Sequence, residues 1–279
     1  MKPYIDLLKD VLVNGKDHND RTGTGTKRVF GRQIRFDLRD GFPLCTTKEV
    51  NIKSVYAELL WFISGSSNRN ALRALRWGSQ HYNNDSKKTI WDGNYNDQAK
   101  KLGYVNGYLG PVYGYQWRFA NGVDQLAQVE KQIRENPDSR RIILDAWNPA
   151  DIDKMSLPPC HVLQHWWVEE GVLSLQVYQR SWDLFLGAPF NIASYALLMH
   201  MMARVTGTKV GELIFSAGDC HVYLNHLEQV TEQVSREPLR LPTIDFIGFQ
   251  QTIDDFCIDD LIFTGSYLHH PKLTGDMSS

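Results

Sequence analysis

The sequence lacks several features that would assign it to a specialised class of protein. Its four cysteines, Cys45, Cys160, Cys220 and Cys257, have no CxxC spacing, so neither a zinc site nor a disulfide framework is indicated. No stretch approaches the roughly 20 consecutive apolar residues that span a bilayer, and the N-terminus carries no signal-peptide-like apolar run. We therefore expect a cytoplasmic protein with no metal and no membrane partner.

The net charge of the chain is also small. The 279 residues carry a formal net charge of −2, with 22% charged and 42% hydrophobic side chains. This balance is that of an ordinary globular protein and makes nucleic acid an unlikely partner, because the phosphate backbone attracts strongly basic surfaces. The chain shows no internal repeat, low-complexity segment or linker. We therefore predict a single domain over residues 1–279 with a substantial core.

Hydrophobic periodicity predicts a mixture of helices and strands. Helices are predicted at residues 4–14, 52–64, 123–135, 192–205 and 225–235, with glycines at 15, 65 and 207 as stops. Strands are predicted at residues 29–38, 142–144, 162–168, 172–179 and 213–223. Residues 66–107 read as a helix followed by a polar excursion around Trp91 to Asn94. Gly110 to Arg118 reads as an aromatic turn punctuated by glycine and proline.

One stretch of the sequence suggests nucleophilic chemistry, Leu157-Pro158-Pro159-Cys160-His161. The prolines stiffen the backbone, and a nearby imidazole or arginine can favour the thiolate, which is the nucleophilic form of cysteine. Most single cysteines are nevertheless small buried hydrophobes, so the motif alone leaves both interpretations open. Glu58 presents a similar choice, because its apolar neighbours Leu59 to Phe62 suit either a helix with one exposed face or a tuned acid–base group.

Two arginine-containing stretches could bind an anion. The loop from Asn19 to Thr26 is polar and rich in glycine, so its backbone amides and Arg21 suit an anion, although a surface turn is the simpler interpretation. Arg140 and Arg141 lead into an apolar run that predicts a strand, and adjacent strand residues point to opposite faces. Solvation of both side chains is the usual outcome, and a shared anion would need an unusual backbone or two binding partners.

Taken in order, these and other motifs resemble the thymidylate synthase family along the whole chain. The matching stretches are DRTGTGT at 20–26, ELLWF at 58–62, LGPVYG at 109–114, DSRRII at 138–143, LPPCH at 157–161, YQRS at 178–181, FLGAPFNIASYALL at 185–198 and the Asp219, His221, Tyr223 cluster. The resemblance implies an α+β fold, with a mixed β-sheet packed against helices and the sheet at a homodimer interface.

The resemblance also implies a reaction and a set of site residues. The reaction is the methylation of dUMP to dTMP, with 5,10-methylenetetrahydrofolate as one-carbon donor and reductant, dihydrofolate as second product, and no metal. Cys160 would add to C6 of the uracil, with Glu58, Tyr113 and His161 as the other catalytic residues. The implied substrate contacts are Arg21, Arg140, Arg141, Arg180, Ser181, Asp183, Asn191, His221 and Tyr223. The implied folate contacts are Asn51, Trp91, Asp183, Leu186, Gly187 and Ser278.

The implied homodimer gives the adjacent arginines a role. In the family this pair reaches across the interface, so Arg140 and Arg141 would bind the phosphate in the partner's site. Several arginines around one phosphate form charge-assisted, bidentate hydrogen bonds, and their positive field favours a thiolate nearby. Asn191 is expected to read the pyrimidine edge, because its amide offers both a donor and an acceptor.

The chain departs from the family pattern mainly on the folate side. The unusual positions are Glu49, Asn51, Tyr108, Asp145, His165 and the polar end Met277-Ser278-Ser279. Two alternatives to methylation therefore stand: a hydroxymethylase that finishes with water, giving 5-hydroxymethyl-dUMP and tetrahydrofolate, and a non-catalytic nucleotide- or RNA-binding relative. The retained Cys160 and Glu58 argue against the second. Trp91, which could shield an intermediate from water, favours methylation over hydroxymethylation.

Overall fold

The computed structural model describes residues 1–19 and 23–276, and its helices pack around one mixed β-sheet. The α-helices in this part of the chain are α1 Lys2–Asn14, α2 Ile52–Ile63, α3 Arg69–Trp77, α4 Trp91–Asn94, α5 Tyr113–Phe119, α6 Gln125–Glu135, α7 Gly187–Thr206 and α8 Leu227–Ser235. The strands are β1 Lys16–His18, β2 Thr26–Asp37, β3 Ile143–Asp145, β4 His161–Glu169, β5 Val172–Asp183, β6 Lys209–Tyr223, β7 Ile244–Phe246 and β8 Leu261–Phe263.

Six strands form the main sheet in the order β1-β2-β6-β5-β4-β3, and β7 pairs with β8 separately. Neighbouring strands of the main sheet are antiparallel except β5 and β6, which are parallel. A parallel pair requires a crossover connection, and α7 provides it. The carboxyl ends of β5 and β6 therefore meet at one edge of the sheet. This architecture confirms the predicted α+β class with a mixed sheet.

Helix α7 lies at the centre of the core, against α2, β5 and β6. Most of its side chains are buried, as expected for a helix that is apolar on nearly every side. It ends at Gly207, whose φ of 72° is the left-handed conformation of a helix stop. The helix begins at Gly187, five residues before the predicted start, because Pro189 in the first turn needs no hydrogen-bonded N–H.

The β4–β5 turn lies between the two strands predicted at residues 162–168 and 172–179. Glu170 and Gly171 both have positive φ, at 50° and 74°, as a tight hairpin turn requires. Buried apolar side chains from the helices and the main sheet form one connected cluster. Across the described residues, no helix is long and apolar enough to cross a membrane.

Two sequence predictions of irregular structure were wrong. Tyr113–Phe119, expected to be part of a turn, is helix α5, and the irregular segment ends with Gly110 and Pro111 just before it. At Gly114 an added Cβ would lie 2.8 Å from the Phe62 carbonyl oxygen, so the glycine allows α5 to approach α2 closely. Trp91–Asn94 is a short helix continued by a π-helical turn over Tyr95–Ala99.

The predicted strand position of the two adjacent arginines was also wrong. Arg140 and Arg141 lie in a turn, and strand β3 begins only at Ile143. The Ser139 hydroxyl accepts a hydrogen bond from the Arg141 backbone N–H at 3.2 Å, which stabilises this turn. The opposite-face argument for adjacent strand residues therefore does not apply to this pair.

Candidate active site

Several residues expected from the sequence meet where β5 and β6 end and α7 begins. The strand register places Ser181 beside Asp219 and Asp183 beside His221. Helix α7 starts only a short turn after β5, which brings its first residues to the same edge. This edge of the sheet therefore collects the predicted contacts Ser181, Asp183, Leu186, Gly187, Asn191, His221 and Tyr223.

Cys160 directly precedes strand β4 and is held next to Arg180 of β5. The Arg180 backbone N–H donates to the Cys160 carbonyl oxygen at 2.8 Å. Its guanidinium donates through Nε to the Pro159 carbonyl oxygen at 2.7 Å and through Nη2 to that of Pro158 at 2.9 Å. The same Nη2 lies 3.9 Å from the Cys160 sulfur. The two proline carbonyls thus hold a positive charge beside the thiol, which favours the thiolate.

His161 is buried and held between two tyrosines. Its ring stacks on Tyr113 with 4.1 Å between the centroids, and its Nδ1 lies 2.7 Å from the Tyr195 hydroxyl oxygen. Burial lowers the pKa of His161 to about 3, so the imidazole is neutral at physiological pH. Tyr195 was not singled out from the sequence, although it lies within the quoted motif at 185–198. It orients the ring that follows the cysteine.

Glu58 points from α2 toward the indole of Trp91. Burial raises the pKa of this carboxyl group to about 7, although a hydrogen bond from Trp91 opposes the shift. In that bond the Trp91 Nε1–H donates to Glu58 Oε1 at 2.7 Å. Glu58 can therefore bind or release a proton near neutral pH, as a general acid–base group must. Glu58 therefore does not lie on an exposed helix face, and its acid–base role stays a prediction.

Trp91 belongs to an aromatic wall beside Glu58. Its ring centroid lies 5.3 Å from that of Trp61, 6.3 Å from that of Phe62 and 5.9 Å from that of Tyr113. All four side chains are buried. Packed aromatic rings leave little room for water, so this side of the site is dry.

The polar groups at the sheet edge are fixed by their neighbours. His221 Nδ1 and Asp219 Oδ1 lie 2.8 Å apart, and Arg28 Nη1 donates to the other oxygen of Asp219 at 3.0 Å. Asn191 Oδ1 accepts from the indole of Trp182 at 3.1 Å, which sets the orientation of its amide. These contacts hold hydrogen-bonding side chains in place for a polar ligand.

Asp183 and Asn51 have structural roles at the starts of helices. Asp183 Oδ1 accepts from the backbone N–H groups of Phe185 and Leu186, at 2.9 and 3.2 Å, in the turn before α7. Asn51 is the N-cap of α2, where its side-chain oxygen accepts from the Ser54 N–H at 3.0 Å. These bonds account for both residues without a ligand, so their folate contacts stay predictions.

A small cavity adjoins Glu58. Its volume is about 30 Å³, and its lining residues are Ser54, Glu58, Leu72, Arg76, Thr89, Ile90 and Phe190. Sequence reasoning anticipated only Glu58 among them. Phe190 lies in the motif at 185–198 and could have been found there, whereas no sequence signal marked Arg76.

Some predicted site residues do not lie near Cys160 or the edge formed by β5, β6 and α7. Arg140 and Arg141 are exposed, and neither forms an ion pair within residues 1–19 and 23–276. Ile143 pairs with His165 in the antiparallel β3–β4 ladder, which places the arginine turn beyond Trp167, about 23 Å along β4 from Cys160. Arg21 and Ser278 lie outside the described residues, as does Ser279.

The unusual positions of the chain are spread over the surface and the sheet. Tyr108 packs edge-on against Tyr104 at 4.9 Å, and Glu49 is exposed. His165 lies on β4, and Asp145 of β3 accepts the Trp147 backbone N–H at 2.8 Å. None of these four side chains lines the cavity beside Glu58. In the described part of the chain, no group of three or more His, Cys, Asp or Glu side chains could hold a metal ion.

Two comparisons with known proteins indicate the same family along the whole chain. A family model described as thymidylate synthase matches residues 2–279. The thymidylate synthase of Enterobacteria phage T4 is 52% identical over an alignment of 289 residues, which covers all of this chain and all of the phage protein. Identity at this level over the full length extends the likeness beyond the motifs to the elements that position them.

Proposed function

The chain belongs to the thymidylate synthase family, and we propose that it methylates dUMP at C5, giving dTMP and dihydrofolate from 5,10-methylenetetrahydrofolate. The observation that carries this function is the guanidinium of Arg180, held by two proline carbonyls 3.9 Å from the Cys160 sulfur. A cysteine in a structural role has no need of a fixed cation at this distance. A nucleophilic cysteine does, because the reacting form is the thiolate.

Cys160 starts the reaction. Its thiolate adds to C6 of the uracil, and the electrons of the C5–C6 double bond move toward the C4 carbonyl, which makes C5 nucleophilic. Tyr113 holds the nucleophile in place, because its hydroxyl oxygen accepts the Cys160 backbone N–H at 2.6 Å. Once the one-carbon unit is bonded to C5, the C5 proton must leave to a base. A hydride then completes the methyl group, and loss of the thiolate from C6 restores the C5–C6 double bond and frees the enzyme.

Glu58 moves protons during these steps. Its pKa of about 7 leaves both forms populated at neutral pH, so it can accept a proton and return it through ordered water. Its hydrogen bond from Trp91 ties this carboxyl group to the dry aromatic wall. Excluding water matters for the outcome, because the methylated product forms only if hydride transfer precedes hydration.

The residues near Glu58 fit a folate in chemistry. Leu72, Ile90 and Phe190 offer apolar walls to a flat ring, and Arg76 offers a cation to the carboxylates of a glutamate tail. The cavity of about 30 Å³ holds about one water, so its walls must separate for a ring to enter. Bound folate supplies first the one-carbon unit and then the hydride. The residues assigned to hold it are Asn51, Trp91, Asp183, Leu186, Gly187 and Ser278.

The nucleotide would lie along the edge formed by β5, β6 and α7. Asn191 reads the uracil edge, and His221 and Tyr223 bind the ribose. Arg21, Arg180 and Ser181 bind the phosphate, together with Arg140 and Arg141 of the partner subunit. Asp183 also borders this site.

A homodimer completes the proposed site. Within one chain the turn carrying Arg140 and Arg141 lies about 23 Å along β4 from Cys160, too far for either arginine to reach its own site. Both side chains are exposed, and a partner packed on the sheet could receive them. The outward face of this sheet exposes large side chains such as Phe30, Trp167 and Tyr178, which suits such an interface.

The assembly is proposed to be cytoplasmic, with residues 1–279 as a single catalytic domain. One connected cluster of buried apolar residues supports the single domain. The four cysteines, all within the described residues, form no disulfide, which is typical of a reducing compartment.

The test is the identity of the products formed from dUMP and 5,10-methylenetetrahydrofolate. Methylation gives dTMP and dihydrofolate, so the dihydrofolate absorbance rises with turnover and the nucleotide gains the mass of a methylene group. Hydroxymethylation gives a nucleotide with an added oxygen and no dihydrofolate. The buried Trp91 favours the first outcome. An oxygen-containing product formed without dihydrofolate would overturn the proposal.

A further inference from the structure

Two arginines of helix α3 are buried. The side chain of Arg73 is 1% exposed and that of Arg69 is 8% exposed. Arginine stays charged in proteins, and a buried charge is costly unless it is paired and hydrogen-bonded. Residues four apart on a helix share one face, so both guanidinium groups point the same way. They reach from α3 to the start of α4.

The carboxylate of Asp92 receives both guanidinium groups. Arg69 Nη1 and Arg73 Nη2 donate to its Oδ1, and its side chain is only 9% exposed. Its Oδ2 accepts from the Thr89 backbone N–H at 2.6 Å and from the Thr89 hydroxyl at 2.9 Å. We call Arg69, Arg73, Thr89 and Asp92 the Asp92 clamp. Four donors thus meet on one carboxylate, two from α3 and two from Thr89 just before α4.

A second carboxylate balances the charge of the clamp. Asp85 Oδ1 accepts from Arg73 Nη1 at 2.8 Å and from Arg69 Nη2 at 3.2 Å. Two arginines thus face two carboxylates, with the exposed Asp85 on the outside and the buried Asp92 on the inside. This network holds its members in one geometry, because removing either arginine leaves the buried Asp92 with only one cationic partner.

The clamp matters because helix α4 cannot hold its own position. It has four residues, far fewer than an isolated helix needs for stability, so tertiary contacts must place it. Asp92 follows Trp91 directly in the chain, and the Trp91 indole donates to Glu58 at 2.7 Å. The clamp on one residue therefore sets the position of the next, and with it the hydrogen bond to the proton-moving carboxyl group.

We propose that Arg69 and Arg73 are positioning residues for the reaction, which act through Asp92 to hold Trp91 against Glu58. Neither arginine contacts the substrate. Their role is to keep the Trp91 indole packed in the aromatic wall and hydrogen-bonded to the Glu58 carboxyl group. In that position the indole excludes water, so that hydride transfer is faster than hydration. The inference rests on the proposed methylation of dUMP and deepens it.

The test uses the full-length Arg73→Met variant, which keeps the apolar stem and removes the charge. We expect kcat to fall about tenfold, the size of effect of one lost charge-assisted hydrogen bond, while the KM for dUMP is unchanged. A larger share of the product should carry oxygen, because a displaced indole admits water. The acid–base limb of the kcat profile should move to higher pH, since Glu58 loses the donor that lowers its pKa. Arg76, the other charged group at the Glu58 cavity, stays in every variant, and buried His161 remains neutral.

Two matched variants separate positioning from simple stability. Arg204 donates to Gln250, Asp245 and the Gly248 carbonyl oxygen at 2.8, 3.1 and 2.8 Å, away from the site, so Arg204→Met should destabilise the fold without changing the product ratio or the pH profile. Arg73→Lys keeps the charge and should recover part of the loss. If Arg73→Met changes only the unfolding temperature, as Arg204→Met does, the inference is wrong.

A double-mutant cycle gives the sharpest result. If Arg73 acts through Trp91, then Arg73→Met should add little to the loss already caused by Trp91→Phe, whereas independent effects would add. Additive losses would overturn the inference. If Arg73→Met fails to fold, Asp92→Asn, which keeps the shape of the side chain, takes its place in the same cycle. A wild-type enzyme that makes no dTMP would instead overturn the proposed function, so the two failures are distinguishable.

Discussion

The phenolic oxygen of Tyr113 accepts the backbone N–H of Cys160, with 2.6 Å between nitrogen and oxygen. The ring of the same tyrosine stacks on His161, 4.1 Å away. One side chain from helix α5 thus holds two consecutive residues at the start of strand β4, and one of them is the proposed nucleophile. The link between them is a single hydroxyl group, which can be removed without changing the ring.

Replacing Tyr113 with phenylalanine tests that link. We expect kcat to fall about 10- to 100-fold while dUMP still binds, because the ring stays in place and the Cys160 N–H loses its acceptor. The free energy of unfolding should fall by about 1–2 kcal/mol, the cost of one unsatisfied buried donor. Steady-state kinetics and urea unfolding measure the two effects. A wild-type kcat in the variant would show that the hydroxyl group does not position the cysteine.

Cys160→Ala should abolish turnover and leave the fold intact. The side chain is small and lies at the start of a strand, so its loss disturbs little packing but removes the group proposed to add to C6. Binding of dUMP, measured by calorimetry, should stay within a few fold of wild type. Cys257→Ala is the matched control, because Cys257 is exposed and distant in sequence from the site motifs. Activity within tenfold of wild type in Cys160→Ala would remove the nucleophile assignment.

Glu58→Gln tests the raised pKa of this carboxyl group. A carboxyl group whose pKa is about 7 in the folded protein and near 4.5 when unfolded holds its proton more tightly in the folded state. Its contribution to stability is therefore fully present below about pH 4.5 and is lost as the pH rises toward 7. The difference of about 2.5 between the two pKa values corresponds to about 3 kcal/mol in the free energy of unfolding.

The expected result is a pH-dependent difference between the two proteins. Glu58→Gln should gain stability relative to wild type as the pH rises from about 4.5 to 7, with no further gain above about pH 8. Its kcat should fall at least about a hundredfold, since glutamine cannot carry the proton. Denaturant unfolding at several pH values measures the first effect. A stability difference that does not vary with pH would mean that the carboxyl group titrates normally.

Subunit mixing tests the proposed donation of Arg140 and Arg141. Cys160→Ala and Arg140→Ala dimers should each be nearly inactive, one for lack of the nucleophile and the other for weak phosphate binding. Heterodimers contain one site in which an intact Cys160 meets an intact Arg140, so mixed and re-equilibrated subunits should regain up to about a quarter of wild-type activity for random pairing. No recovery, despite heterodimers detected by mass spectrometry, would place the arginine in its own subunit's site.

Asn191→Asp should shift the nucleotide preference from dUMP toward dCMP. The asparagine amide offers a donor and an acceptor to the O4 and N3–H edge of uracil, whereas a carboxyl group better matches the amino group of cytosine. The bond from the Trp182 indole to the side-chain oxygen should persist in the variant, so the carboxyl group keeps the same orientation. The measured quantity is the ratio of kcat/KM for the two nucleotides. Equal wild-type values for both would refute the role of Asn191 as the pyrimidine reader.

The sequence by itself determined those elements whose signals are local. The apolar spacing of α1 and α2 and the turn between β4 and β5 follow from neighbouring residues, and the structure confirms them. The ordered motifs also identified the family and the place of Cys160 in it. Each of these features depends on residues that are close together in the sequence, so no knowledge of the fold is needed to find it.

Only the tertiary structure decided how distant residues meet. Glycine and proline before α5 suggested a turn, but packing of Gly114 against α2 makes the segment helical. His161 and Tyr195 are 34 positions apart, and Arg73 and Asp92 are 19 apart, with no local pattern to pair them. Burial is the physical reason, because a charge or a polar ring inside the protein must find its partner wherever the packed helices and strands bring one within reach.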